Sequence, residues 1–156
     1  MPDKHLSSQF DADLNILCSK LLEMGGLVEL QISKAMQAFS EMNSELCDQV
    51  MQSEKQVNDY EVQIDLTCTE LIARRQPTAR DLRLVMAVSK AITNLERAGD
   101  EAERVARRTK RLIESDLKSQ INVAEIKLSG QMAISLLRRS LDAFARLDTT
   151  SAVDDK

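Results

Sequence analysis

The sequence contains few of the residues that interrupt helices or favour sheets. Its 156 residues include four glycines, two prolines, one tyrosine, three phenylalanines and no tryptophan. Leucine, alanine, methionine, glutamate, lysine and arginine, all good helix formers, make up much of the remainder. A chain of this length forms one ordinary domain with room for a buried core. The composition therefore predicts an all-α fold.

Residues needed for common enzyme sites are also scarce. The single histidine is His5, and Cys18, Cys47 and Cys68 match no zinc or redox spacing. No nucleophile can be assembled with a base, and the Glu-x-x-His motifs of di-iron helical bundles are absent. We therefore expect buried free thiols, and any metal must be held mainly by oxygen ligands.

The chain also lacks features of nucleic-acid binding, membrane insertion and secretion. Its net charge of −4 argues against a general nucleic-acid binder, which is normally basic. No stretch approaches the ~18 apolar residues that a membrane-spanning helix needs. The opening MPDKHLSSQF lacks the apolar run and cleavage site of a secretory signal. These absences predict a soluble cytosolic protein.

Apolar periodicity predicts four helices, over about 8–42, 44–75, 78–114 and 123–147. The second helix has the clearest seam, a heptad formed by Val50, Val57, Ile64 and Leu71. Asn43-Ser44 marks a turn and cap, and Gln76-Pro77-Thr78 breaks the chain because proline disfavours helix at the preceding residue. Short connections make neighbouring helices antiparallel, so the first three helices should form a three-helix bundle.

The end of the fourth helix resembles the end of the first. AMQAFSEMNS at 35–44 corresponds to SLDAFARLDT at 140–149, an offset of 105 residues. We interpret this likeness as an internal repeat, with a first unit at 1–115 and the first helix of an incomplete second unit at 116–156. A unit without its remaining helices should leave an apolar stripe uncovered, or cover it with another chain.

Two helices each carry a glutamate with an aspartate four residues later, Glu61/Asp65 and Glu96/Asp100. Four residues are just over one helical turn, so each pair projects from one face. Hard oxygen ligands without imidazole or thiolate suit Mg²⁺, Mn²⁺, Ca²⁺ or a ferric ion. Gly99 lies between the second pair and would admit a ligand or a neighbouring helix. The alternative interpretation is a solvated acidic face.

The predicted hairpin constrains how these acids can meet. If the chain turns at the proline break, Glu61 lies opposite Ile92, and Glu96 is displaced by ~6 Å along the axis. Two glutamates could then share a cation. Asp65 and Asp100 are ~18 Å apart by the same count, so all four acids cannot share a single ion in a straight hairpin.

The stretch Glu61–Arg107 resembles the first repeat of the PhoU family. Its most specific parts are RQP-x-A-x-DLRLV at Arg75–Val85 and LER-x-GDEAE at Leu95–Glu103. The opening HLSSQFDADL and the later LDAFARLD are similar to the first and fourth helices of that family. The resemblance implies an all-helical protein built from two similar three-helix bundles in tandem.

The resemblance also implies a function. Members are cytoplasmic, often homodimeric, negative regulators of the phosphate-starvation response. They couple the ATPase subunit of the phosphate ABC transporter to a sensor histidine kinase and restrain phosphate uptake. This implies a peripheral partner of membrane complexes that has no transmembrane segment, binds no nucleic acid and is not an enzyme.

The family also implies the metal ligands. Its paired Glu/Asp-x-x-x-Asp motifs, which can bind Mg, Mn or Fe, carry over to Glu61, Asp65, Glu96 and Asp100. A later Glu-Arg-x-Gly-Asp motif of the family has no counterpart here, which puts a second metal surface in doubt. A carboxylate-bridged metalloenzyme and a purely structural helical bundle remain alternative interpretations.

Overall fold

A computed structural model describes the backbone of residues 3–115 and 123–153. It contains four helices in these ranges, α1 (Asp3–Glu41), α2 (Ser44–Arg75), α3 (Ala79–Glu114) and α4 (Val123–Val153). The described residues include no β-strand, which confirms the prediction of an all-α fold. None of the four helices has an apolar segment long enough to cross a bilayer.

Helices α1, α2 and α3 pack side by side around a shared core and form the expected antiparallel three-helix bundle. The predicted heptad of α2 lies in this core, because Val50, Val57, Ile64 and Leu71 are all buried. Burial of the apolar helix faces contributes roughly 25 cal/mol per Å² of apolar surface and is the main force that holds the three helices together.

Both tight connections form where the sequence predicts them. The Asn43 side chain caps α2 by accepting hydrogen bonds from the backbone N–H groups of Glu45 and Leu46, at 3.1 and 3.2 Å. At the other end of α2, Gln76 adopts a left-handed conformation with φ of 42°. Pro77 then prevents α2 from continuing, and the chain reverses into α3.

Two helix ends lie beyond the predicted limits. Helix α1 begins at Asp3 rather than about residue 8, and α4 continues to Val153 rather than ending near residue 147. No glycine or proline occurs in either added segment, so nothing in the sequence stops the helix there.

Helix α1 also runs unbroken through Gly25-Gly26. Gly25 is buried, and a Cβ built there would lie 2.9 Å from Cδ2 of Leu141, so this glycine permits close packing of α4.

Helix α4 packs against α3 and α1. Its inner face joins the common core through Ala133, Leu137 and Phe144. Phe39 and Phe144, which correspond in the sequence repeat, are both buried. The division into units at 1–115 and 116–156 stays a prediction, and residues 116–122 and 154–156 lie outside those described.

An exposed apolar stripe runs along the outer face of α4. It consists of Leu128, Met132 and Leu136, spaced four residues apart and each more than half exposed. Exposed large apolar residues also occur on the other three helices, among them Leu30, Val62 and Met86, so this stripe does not test the predicted division into units.

The three cysteines are buried and form no disulfide, as expected. Burial raises the pKa of the Cys68 thiol to about 11, so it stays protonated at neutral pH. These thiols fill the core.

Candidate metal centre

The antiparallel pairing of α2 and α3 brings three carboxyl groups together. Glu54 comes from α2, and Glu96 and Asp100 come from successive turns of α3. One oxygen from each lies within 4.8 Å of the others, and all three side chains are partly buried. Oxygens this close can be bridged by one cation, since hard divalent ions bind oxygen at about 2.0–2.6 Å.

Gly99 and Gln31 complete the surroundings of this acidic cluster, which we define as Glu54, Glu96 and Asp100. A Cβ built on Gly99 would lie 3.0 Å from Oε1 of Gln31 and 3.7 Å from Oε2 of Glu54. Because glycine has no side chain, α1 and α2 can approach α3 closely at this level. The cluster therefore lies where all three helices of the bundle meet.

Burial and crowding of the acids raise the pKa values of Glu54 and Glu96. Burial, a hydrogen bond with Asp100 and the charge of Asp100 together raise the pKa of Glu54 to about 7, although a hydrogen bond from Gln31 lowers it. The pKa of Glu96 is also raised to about 7, by burial first and then by Asp100 and the charge of Glu61. Near neutral pH Glu54 and Glu96 therefore hold protons that carboxyl groups in water would have lost.

Two nearby basic side chains are engaged elsewhere. Arg104 forms an ion pair with Glu101, and Arg107 forms one with Glu103. Among the residues that the structure describes, no lysine or arginine forms an ion pair with a member of the acidic cluster. Only Arg97 lowers the pKa of Glu96, as the smallest of its influences. The cluster keeps an excess of negative charge.

The four acids singled out from the sequence have different positions. Glu96 and Asp100 both belong to the acidic cluster. Glu61 is partly buried and close enough for its charge to raise the pKa of Glu96. Asp65 is exposed and does not belong to the cluster. Its charge contributes to the raised pKa of Cys68 on the same helix. Their assignment as metal ligands stays a prediction.

Sequence reasoning did not single out Glu54 as a ligand. A search for pairs four residues apart within one helix cannot find an acid that meets its partners from another helix. The register count that places Glu61 opposite Ile92 also places Glu54 opposite Gly99, between the two acids of α3. This register count could have identified Glu54 from the sequence.

The donor set fits a hard cation. Three carboxyl groups supply only oxygen, and the Gln31 amide beside them could add its Oε1, a donor set that suits Mg²⁺, Mn²⁺ or ferric iron and disfavours zinc or copper. Burial and the neighbouring acids keep protons on Glu54 and Glu96, and the positive charge of a divalent ion would favour their ionised forms.

We expect the metal-free protein to lose stability as pH rises from about 4.5 to about 7. In this range the unfolded chain ionises Glu54, while the folded chain keeps the proton because its pKa is raised to about 7. The folded state then binds more protons than the unfolded state, so the free energy of unfolding falls. In Glu54→Gln the free energy of unfolding should fall less over this pH range, by on the order of 1 kcal/mol, since partial solvent exposure weakens the effect.

Thermal melts at pH 5 and pH 8 in the presence of a chelator measure this effect. The decrease in Tm between the two pH values should be about 2–4 °C smaller in Glu54→Gln than in the parent chain. Glu29→Gln, at an exposed position on α1, is the matched control and should leave the decrease unchanged. Equal decreases in all three proteins would contradict the raised pKa.

Comparison with known proteins identifies the family. A family model described as the PhoU domain matches residues 21–109. The phosphate-specific transport system accessory protein PhoU homolog of a Burkholderia species is 49% identical over 152 residues, which cover 97% of this chain and 65% of that protein. The Escherichia coli K12 protein PhoU is 42% identical, with 97% of this chain and 62% of that protein covered.

Two solved PhoU structures agree with this family assignment. The crystal structure of PhoU from Pseudomonas aeruginosa matches with a TM-score of 0.81 and 42% identity, and covers 93% of this chain and 69% of that chain. PhoU from Streptococcus pneumoniae matches with a TM-score of 0.68 and 26% identity, over 90% of this chain and 70% of that chain. The chain spans about three-fifths of the length of the curated relatives it matches. The family match covers more than half of the sequence, and the chain therefore belongs to the PhoU family.

Proposed function

We propose that this chain is a non-enzymatic negative regulator of the phosphate-starvation response that acts through a metal-binding acidic surface. Support for the regulatory role comes from relatives that carry the name phosphate-specific transport system accessory protein. Support for the metal comes from the convergence of three carboxyl oxygens within 4.8 Å. This convergence is the observation on which the proposal rests.

In this proposal Glu54, Glu96 and Asp100 hold one divalent or ferric ion, and Glu61 lies at its edge. When bound, the ion would supply positive charge to the cluster. The carboxylates would lose their shared protons and become fixed between α2 and α3. Because the ligands come from two helices, binding would also resist separation of these helices.

We further propose that the protein works in the cytoplasm as a homodimer. Its partners would be the ATPase subunit of the phosphate ABC transporter and a sensor histidine kinase. The name of the relatives, which places them in a phosphate transport system, supports a partner in the transporter.

Regulation can be tested in cells whose own accessory protein has been deleted. In high phosphate, such cells should express a phosphate-starvation reporter strongly, and this chain should reduce expression at least severalfold. Purified chain should also retain the transporter ATPase subunit or the kinase on an affinity resin. Glu101→Gln, in an exposed ion pair beside the cluster, is a control that should behave like the parent chain. A folded chain that neither lowers reporter expression nor retains either partner would contradict the proposed regulatory function.

A further inference from the structure

An amide oxygen in the core beside the acidic cluster has no hydrogen-bond partner. Gln31 of α1 is only 1% exposed. Its Nε2 donates to the carbonyl oxygen of Val50 and to Oε2 of Glu54, both at 3.4 Å. Its Oε1 is buried and accepts no hydrogen bond within the part of the chain that the structure describes. A buried acceptor without a partner is unfavourable, because it has lost the hydrogen bonds that water would give it.

Rotating the amide would not satisfy both of its ends. With oxygen and nitrogen exchanged, the oxygen would face Oε2 of Glu54 and the carbonyl oxygen of Val50, and this carbonyl can only accept a hydrogen bond. The orientation with nitrogen towards these two atoms is therefore favoured. It leaves Oε1 turned towards α3, 3.0 Å from the position that a Cβ of Gly99 would occupy. The oxygen thus faces the helix segment that carries Glu96 and Asp100.

A positively charged group would suit this arrangement. After Oε1 itself, the nearest polar neighbour of the Gly99 Cβ position is Oε2 of Glu54, at 3.7 Å, which already accepts a hydrogen bond from Nε2 of Gln31. A cation satisfies acceptors and carboxylates together, and amide carbonyls are ordinary ligands of hard divalent ions. Gln31 lies on α1, and the three acids lie on α2 and α3.

Building on the proposed metal function, we propose that Oε1 of Gln31 is a fourth, neutral ligand of the ion. The cation class is a hard divalent ion such as Mn²⁺ or Mg²⁺, held by three carboxylates and one amide. Binding would satisfy the unpaired oxygen and tie α1 to the α2–α3 hairpin. The metal would therefore link all three helices of the bundle.

The decisive variant is Gln31→Met, which keeps the length of the side chain and removes the amide. Gln37→Met is the matched control, because Gln37 is an exposed glutamine on the same helix. Calorimetric titration with Mn²⁺ should give affinity at least about 10-fold weaker for Gln31→Met and unchanged for Gln37→Met. Gln31→Glu, which restores an oxygen, should bind more tightly than Gln31→Met.

A second measurement uses the unmutated chain. On saturation with Mg²⁺, the side-chain carbonyl ¹³C resonance of Gln31 should shift and that of Gln37 should not. Failure of the parent chain to bind either ion would overturn the metal function itself. Normal ion binding with an unmoved Gln31 resonance, or equal Mn²⁺ affinity in folded Gln31→Met, would overturn only the role of Gln31.

Discussion

Replacing Glu54 and Asp100 together with Gln and Asn should abolish Mn²⁺ binding, with a loss of affinity of at least about 100-fold. Removing an outer-shell partner of a metal ligand commonly weakens binding 10–100-fold, so the loss of two direct ligands should exceed that range. The amides keep the shape of both side chains but remove two of the three charges in the acidic cluster. Calorimetry at pH 7.5, above the raised pKa of about 7 of Glu54, measures the loss.

Two single variants make this test specific. Asp65→Asn changes an exposed acid that the family motif assigns as a ligand but that does not belong to the cluster. Glu101→Gln changes an acid next to Asp100 that is paired with Arg104. Both should retain Mn²⁺ affinity within about twofold, since exposed charges act weakly through solvent. A strong loss in Asp65→Asn together with normal binding in the double variant would place the ion at the Glu61/Asp65 pair instead.

The fold could be predicted from the sequence because its signals are local and repeated. The heptad of α2, the cap at Asn43 and the break at Pro77 each act within a few residues, and all three occur where expected. Helices α1 and α4 extend beyond the predicted limits because no glycine or proline occurs between the predicted and the observed ends. The role of Gly25 depends on contact with Leu141, 116 positions away, which periodicity alone cannot specify.

The acidic cluster was only partly predictable, for a related reason. Glu96 and Asp100 share one helix face, so their spacing of four residues indicates a common surface. Glu54 joins them across the hairpin, and only the register between two helices reveals it. Nothing in the sequence marks Gln31 as a ligand, because one polar residue within an apolar helix face is common. Its importance follows from burial and from the oxygen that it leaves unpaired.

Truncating Leu95 to alanine should destabilise the bundle by about 2–5 kcal/mol. Leu95 is completely buried in α3, directly before Glu96, and belongs to the common core. Helices packed along their whole length cannot move together enough to fill the cavity. The variant therefore loses both the burial of apolar surface and the van der Waals contacts of the leucine. For a chain of this size the Tm should fall by about 10 °C, measured by circular dichroism without metal.

Leu136→Ala is the matched control, since Leu136 is 58% exposed on α4 and its truncation leaves no cavity. Its Tm should stay within about 2 °C of the parent chain. Saturating Mn²⁺ should then raise the Tm of Leu95→Ala as well as that of the parent chain, because an ion that binds only the folded state stabilises it by about 2.7 kcal/mol at 100 times its Kd. A small loss at Leu95 and a large loss at Leu136 would mean that the exposed face of α4, rather than the shared core, carries the stability of the bundle.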